Sequence, residues 1–225
     1  IDLHSANQFN VRDGFANSAN LYLEHFPYID RLWFGEYFDY NSPPDFWLIE
    51  TSGIPFGLMG EMLQDGGHPY RGLLYGMTGR KYGGNDPRPV WAMMNDFGIA
   101  ESSMKGYWLE EAPVTTDHPR VLATTYLRPD TALIVLASWS GEDEVVNLSI
   151  DAEALGFDPF ESLVLGPVSD STTMAQATGP RVYAPAVEGL QSEAEIDLSA
   201  VPVPAGQGLY VIVQKASRPG TIPDS

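Results

Sequence analysis

Val121-Leu122-Ala123-Thr124-Thr125-Tyr126-Leu127 and Ala132-Leu133-Ile134-Val135-Leu136-Ala137-Ser138-Trp139 flank the tetrapeptide Arg128-Pro129-Asp130-Thr131. Two apolar, β-branched and aromatic runs around a Pro-Asp turn predict two antiparallel strands. Working outward, Gly141-Glu142-Asp143 reads as the next turn and Val145–Ile150 as the next strand. Asp151–Leu155 suits a single helical turn, and Leu163–Leu165, Ala194–Leu198 and Leu209–Val213 are further short strands. Strands at this spacing predict an antiparallel β-sandwich over residues 111–216. Residues 217–225 are polar, hold Pro219, Gly220 and Pro223, and read as a frayed tail.

Upstream the composition changes near residue 110. Of the 26 aromatic residues, 20 lie in the first 110 positions, with four of the five tryptophans: Trp33, Trp47, Trp91 and Trp108. Here short apolar runs alternate with helical patterns. Ile1–His4 reads as a strand end, and a helix carrying Leu21, Leu23 and Phe26 follows from about Ser18. Leu32-Trp33-Phe34 is the next strand. Ser42 then caps a helix with Pro43 at its first position, and Gly53 stops it. Ile54–Met59 is a third strand. Pro69 opens a helix through Leu73, Leu74 and Met77, ended by Gly83-Gly84. Asp86-Pro87 starts another, with Val90, Trp91, Met94 and Phe97 on one face and Gly98 as its stop. Strand–helix alternation predicts a parallel sheet. Three such units fit in 110 residues, whereas a closed (β/α)8 barrel needs about 250. The fold expected is therefore α/β plus all-β: the C-terminal part of a (β/α)8 barrel over residues 1–110, then the β-sandwich. An open α/β layer is the other reading of the first part.

The formal net charge of −18 argues against nucleic acid or an anionic membrane surface as partner. No apolar run approaches the roughly 20 residues that span a bilayer. The chain has no cysteine, which excludes disulfides and thiolate chemistry. His4, His25, His68 and His118 are scattered without metal-ligand spacing, and no Gly-rich loop has dinucleotide or phosphate spacing. No metal and no cofactor is expected. Ser5 lacks the context of a nucleophile elbow.

Polar residues gather just after the short strands of the first part, the face on which barrel enzymes place their catalytic groups. Glu36 follows Trp33-Phe34-Gly35 directly. A carboxyl group among aromatics is partly desolvated, which raises its pKa and suits a general acid. An ordinary loop carboxylate is the competing reading. Asp39 suits a partner carboxylate, or equally a turn ahead of Asn41-Ser42. Asp2 and His4 alternate on a strand and so share a side; they suit either a joint substrate contact or a buried His–Asp pair. Asn7, Trp33, Tyr37 and Glu61 complete the candidate sugar-binding set. Glycosidic cleavage uses two carboxyl groups, about 5–5.5 Å apart in retaining enzymes and about 6.5–9.5 Å apart in inverting ones. The sequence leaves that choice open.

Ile1-Asp2-Leu3-His4-Ser5, Glu24-His25-Phe26-Pro27-Tyr28-Ile29-Asp30, Leu32-Trp33-Phe34-Gly35-Glu36 and Phe38-Asp39-Tyr40 together carry a family likeness. So do Gly53-Ile54-Pro55-Phe56-Gly57-Leu58-Met59, Leu74-Tyr75-Gly76-Met77-Thr78, Asp86-Pro87-Arg88-Pro89-Val90-Trp91 and Gly106-Tyr107-Trp108. The chain resembles a bacterial family of glycoside hydrolase-like proteins, distantly similar to enzymes acting on N-acetylgalactosaminides. The resemblance runs over nearly the whole chain. It implies a (β/α)8 barrel followed by a C-terminal β-sandwich, and an enzyme cleaving a glycosidic bond in a polysaccharide or glycoconjugate. The resemblance also implies that the upstream barrel strands, absent here, are a structural partner and carry an essential carboxylate. An extracellular or periplasmic location is a separate expectation. The alternatives are a non-catalytic carbohydrate-binding protein on a degenerate barrel, and a purely structural role for the β domain.

Overall fold

The computed structural model describes residues 1–4, 23–33, 40–51, 59–60, 68–77, 87–157, 163–165, 169–170 and 195–215. Its first sheet has the order β1-β2-β3, with β1 Asp2–His4, β2 Arg31–Trp33 and β3 Met59–Gly60. All pairings are parallel: Leu3 faces Leu32, and Leu32 faces Gly60. Strand β2 is preceded by a 3-10 turn, Leu23–Tyr28, where a helix was expected from Ser18; residues 18–22 lie outside the described part. Helix α1, Pro44–Thr51, follows β2. Helix α2, Pro69–Leu73, follows β3, and helix α3 spans Arg88–Phe97. Gly98, at φ +73°, closes α3 by donating its N–H to the Met94 and Asn95 carbonyls.

Helix α2 is shorter than its apolar pattern predicts. It stops at Leu73, and Gly76 turns the chain at φ +78°. Leu74 and Met77 extend the helical spacing, yet they are buried by packing after the helix has ended.

Every strand pairing described in the second half is antiparallel. The central strands are β6, Val121–Arg128, and β7, Thr131–Ser138, which pair from Val121 with Ser138 to Arg128 with Thr131. Pro129 and Asp130 make the turn. Strand β12, Gly208–Lys215, lies on the far side of β7. The edges of this sheet are β4, Ser103–Lys105, against β6, and β9, Leu163–Leu165, with β10, Ser169–Asp170, against β12. Thus Ser103–Lys105, on the aromatic-rich side of residue 110, already belongs to the second unit's sheet. A second sheet has the order β11-β8-β5, with β5 Val114–Thr116, β8 Glu144–Asp151 and β11 Glu195–Val203. The expected turn after β8 is present: Leu155 N–H reaches the Asp151 carbonyl, and the Asp151 carboxylate accepts from Ala154 N–H.

Side-chain alternation shows what each face does. Val121, Ala123, Ala132, Ile134, Leu136, Leu209, Val211 and Val213 meet Val114, Val146, Leu148, Ile150, Val201 and Val203 of the second sheet in one apolar core. The intervening residues Tyr126, Leu133, Val135, Ala137, Tyr210 and Ile212 face the other way, against Trp47, Tyr70, Leu73, Leu74, Val90 and Phe97. The large sheet is therefore covered on both sides. That explains the unbroken run Ala132–Ala137, as for any strand buried on two faces. In β8 only Val146, Leu148 and Ile150 are deeply buried, which matches its alternation with Val145, Asn147 and Ser149.

Candidate active-site face and domain junction

Parallel pairing brings His4, Trp33 and Gly60 to the carboxyl ends of adjacent strands, with His4 level with Trp33. From these ends the chain enters residues 5–22, 34–39 and 61–67. Asn7, Glu36, Tyr37, Asp39 and Glu61 lie in those segments, outside the described residues. So do the side chains of His4 and Trp33. Asp2 is placed: its carboxylate is 3.2 Å from Arg31 Nε on the neighbouring strand, and both side chains are about half exposed. A pair this exposed contributes about 0–1 kcal/mol. It orients Asp2 along the sheet, two residues ahead of the carboxyl end of β1.

A chain that leaves β2 and enters parallel β3 must return through the helix between them, so α1 starts on the carboxyl-end side. Trp47 lies in the first turn of α1 and Arg71 in the first turn of α2. The Arg71 guanidinium carbon sits 5.0 Å from the centre of the Trp47 ring and 4.3 Å from that of Trp139, the residue after β7. Arg71 is 6% exposed, and its Nε has no hydrogen-bond partner among the described residues. Burial lowers its pKa to about 10, so it remains a cation at neutral pH. The two indole faces supply the attraction that a carboxylate would usually give.

The same cluster pins the start of α1. Trp139 Nε1 donates to the Ser42 carbonyl at 2.9 Å. The hydroxyls of Tyr75 and Tyr107 both donate to the Pro44 carbonyl, at 3.0 and 3.3 Å. Trp47 packs against Tyr40, Tyr75 and Trp139 with ring centres 5.9, 5.8 and 5.6 Å apart. Burial pushes the Tyr75 phenol well above its ordinary value, reinforced by its contact with Tyr107. The Tyr107 phenol is raised by burial as well. These phenols are donors at all physiological pH, which suits a clamp on a carbonyl.

One further polar cluster lies at the edge of the β unit. Ser140 Oγ donates to Glu144 Oε1 at 2.5 Å, and His118 Nε2 stands 3.6 Å from the same oxygen. The carboxylate lies between the serine and the histidine, so the imidazole cannot take the serine proton. His118 Nδ1 also accepts from Arg120 N–H at 3.3 Å. This is a structural network, without the order a nucleophile needs. Among the described residues no group of three His, Asp or Glu side chains converges as metal ligands, and no helix is long and apolar enough to cross a membrane.

Sequence reasoning placed Trp47 inside a helix and took Gly106-Tyr107-Trp108 as family motif only. It missed Arg71 altogether. The available signal was a lone cation, between Tyr70 and Gly72-Leu73-Leu74, in a segment otherwise fit for burial.

Residues 1–82 match the family model described as glycoside hydrolase 123, TIM-barrel domain. Residues 86–214, more than half of the chain, match glycoside hydrolase 123, C-terminal domain. The chain belongs to glycoside hydrolase family 123. The junction between the two family-123 domains, residues 83–85, immediately precedes α3. No curated protein matches the chain. Among solved structures it is similar to a GH30 endoxylanase from Clostridium papyrosolvens, at 12% identity and a TM-score of 0.38. That match covers 85% of this chain and 50% of the endoxylanase, so the family-123 chain spans half the length of that protein.

Proposed function

We propose that the chain supplies the last strands of a glycoside hydrolase barrel and the β-sandwich that supports it, and that the reaction is hydrolysis of an O-glycosidic bond. The observation that carries this reading is the parallel trio β1, β2 and β3 in a member of family 123. Adjacent strands lie about 4.8 Å apart, so three carboxyl ends open within about 10 Å of one another. Chain reach supports the candidate set. Glu36 is three residues past Trp33 and Asn7 three past His4, distances of at most about 11 Å. Glu61 is bonded to Gly60, and Asp39 is bonded to Tyr40, whose ring packs on Trp47.

In this reading Glu36 protonates the leaving oxygen, and Asp39 serves as partner carboxylate or holds a sugar hydroxyl. His4, Asn7, Trp33, Tyr37 and Glu61 line the sugar site. Asp2 contributes jointly with Arg31, its ion-pair partner. The test is Glu36→Gln in a chain extended upstream to a complete barrel, assayed by reducing-sugar release from galactosaminide and galactoside glycans. Loss of a general acid costs about 10²–10⁴-fold in turnover. Near-normal turnover by the folded variant would remove Glu36 from the mechanism.

A further inference from the structure

The indole of Trp108 lies in the connection from β4 to β5. That connection is held by turns in which Leu109 N–H bonds to the Gly106 carbonyl and Ala112 N–H to the Leu109 carbonyl. A Cβ placed on Gly106 would fall 2.4, 2.4 and 2.5 Å from Cη2, Cζ2 and Cε2 of Trp108. Three ring atoms at nearly equal range mean that the six-membered ring lies flat over the glycine, a contact open to no other residue at position 106. The Tyr107 ring meets the indole edge-on at 5.2 Å, and the Tyr75 ring runs parallel to it, at 4° and 6.1 Å. Gly106 thus covers one face of the six-membered ring. Even so, Trp108 remains 40% exposed, as does Leu109 beside it. Trp47, by contrast, is fully buried.

We propose that the solvent-exposed part of the Trp108 indole is a carbohydrate subsite that stacks a neutral pyranose ring of the glycan chain. It is supplied by the β unit rather than by the barrel strands. A pyranose presents one face of C–H bonds, whose partial positive charge matches the negative face of an indole. The competing stacking ligands are less well suited. Nucleotides and acidic glycans meet the exposed carboxylates Glu110 and Glu111 and a chain of net charge −18. Those same carboxylates can accept hydrogen bonds from sugar hydroxyls at the ring edge.

The location suits a subsite leading away from the active-site face. Tyr75, parallel to Trp108, and Tyr107, in contact with it, both hold the Pro44 carbonyl at the start of α1. Chain connection places that point four residues after Tyr40 and eight after Glu36. Rigid support from Gly106 and the two tyrosines leaves little indole freedom to be lost on binding. The identity of the ligand as part of the substrate rests on the glycosidase reading above.

The test has two arms. In a chain extended to a complete barrel, Trp108→Ala and Trp108→Phe are assayed on neutral galactosaminide oligosaccharides and on short aryl glycosides. The expected result is a KM on oligosaccharides raised about tenfold by Trp108→Ala, partly restored by Trp108→Phe, with kcat changed much less and the short substrates less sensitive than the long. Separately, the same oligosaccharides are titrated against the unmodified chain while the Trp108 indole N–H resonance is followed. A saturable shift is expected, lost in Trp108→Ala shown to be folded by its melting transition. Turnover with unchanged KM in Trp108→Ala and no indole shift overturns the subsite and leaves the glycosidase reading standing. An indole shift without turnover on any glycan retains the subsite and overturns the glycosidase reading. Absence of both turnover and shift overturns both.

Discussion

The hydroxyl of Thr124, in the middle of β6, donates a 2.9 Å hydrogen bond to the carbonyl of Leu74, just past the end of α2. Two residues on, Tyr126 donates to the Leu73 carbonyl, and two further on, Arg128 Nη1 donates to the Phe97 carbonyl at the end of α3. Residues 124, 126 and 128 share one face of the strand. Helix C-termini leave carbonyls without intrahelical partners. In this chain strand β6 supplies the donors, to α2 from across the junction at 83–85 and to α3 from within the same C-terminal domain. The β unit is therefore part of how α2 and α3 end, as well as a surface against which they pack.

Removing those donors tests that coupling. Thr124→Val keeps the shape of a fully buried side chain and leaves the Leu74 carbonyl without that donor; Tyr126→Phe leaves the Leu73 carbonyl with the Gly76 N–H at 3.3 Å. Thr124→Val is expected to cost about 1–3 kcal/mol, the penalty of an unsatisfied buried polar group, and Tyr126→Phe about 0.5–1.5 kcal/mol, the net worth of one hydrogen bond. The readout is the denaturant midpoint at unchanged slope. A loss below about 0.5 kcal/mol in both would show that the carbonyls find water instead.

The buried phenols set the alkaline limit of stability. Burial raises the pKa of Tyr70, Tyr75, Tyr107 and Tyr126. In the unfolded chain they ionise near about pH 10, while in the folded protein they stay protonated. The folded state then binds more protons above that pH, so stability present below about pH 10 is lost as pH rises. Arg71 works in the opposite sense, since burial lowers its pKa to about 10 and the folded state sheds that proton early. Four phenols outweigh one guanidinium. A stability profile should fall above about pH 10, and near-ultraviolet absorbance should show these phenolates only as the protein unfolds. A flat profile to about pH 11 would contradict this.

The β-hairpin is fully legible because Ala132–Ala137 and Val121–Leu127 are long apolar runs around a Pro-Asp turn. The parallel strands are legible from residues 1–4 and 32–34, within one residue of their observed bounds. Strands β4 and β5 are not, since Ser103–Lys105 and Val114–Thr116 are too short to show a period of two. Strand β11 runs to Val203, beyond the expected Leu198, despite Pro202. Among the described strands it lies at the edge of its sheet, where a missing N–H is tolerated. A bulge between Leu198 and Val201, with Ala200 N–H bonded to Asn147 Oδ1, breaks the alternation there. At the site, periodicity puts Asp2 and His4 on one side but is blind to Arg31 arriving from the next strand. The partners of Arg71 are illegible for the same reason, because its two indole neighbours come from positions 47 and 139.

Gly106 is predicted to be a sensitive glycine and Gly141 an insensitive one. A methyl group at Gly106 must displace the Trp108 ring, at a cost of about 1–3 kcal/mol for overpacking. A methyl group at Gly141 meets nothing within 4 Å and is expected to be neutral or to stabilise by up to about 1 kcal/mol. Tryptophan emission should shift in Gly106→Ala alone. Equal stability of the two variants with unchanged emission would mean that the ring does not rest on Gly106.

Excising the β unit as residues 111–216 tests whether the change of composition near residue 110 is a boundary of folding. The cut removes β4 from the edge of β6 and strips α1, α2 and α3 from one face of the large sheet. It bares Tyr126, Leu133, Val135, Tyr210 and Ile212, and leaves Thr124, Tyr126 and Arg128 without their carbonyls. The opposite face keeps its core with the second sheet, so secondary structure should survive. A contiguous apolar face of this kind drives association and binding of apolar dyes. The excised unit is therefore expected to bind such dyes, to self-associate, and to melt at a lower temperature and over a broader range than the whole chain. Starting the excised chain at residue 68 restores α2, α3 and β4 and should recover most of the cooperativity. A monomeric 111–216 with a sharp melt and no dye uptake would mean that the helices only rest on a sheet that is already complete.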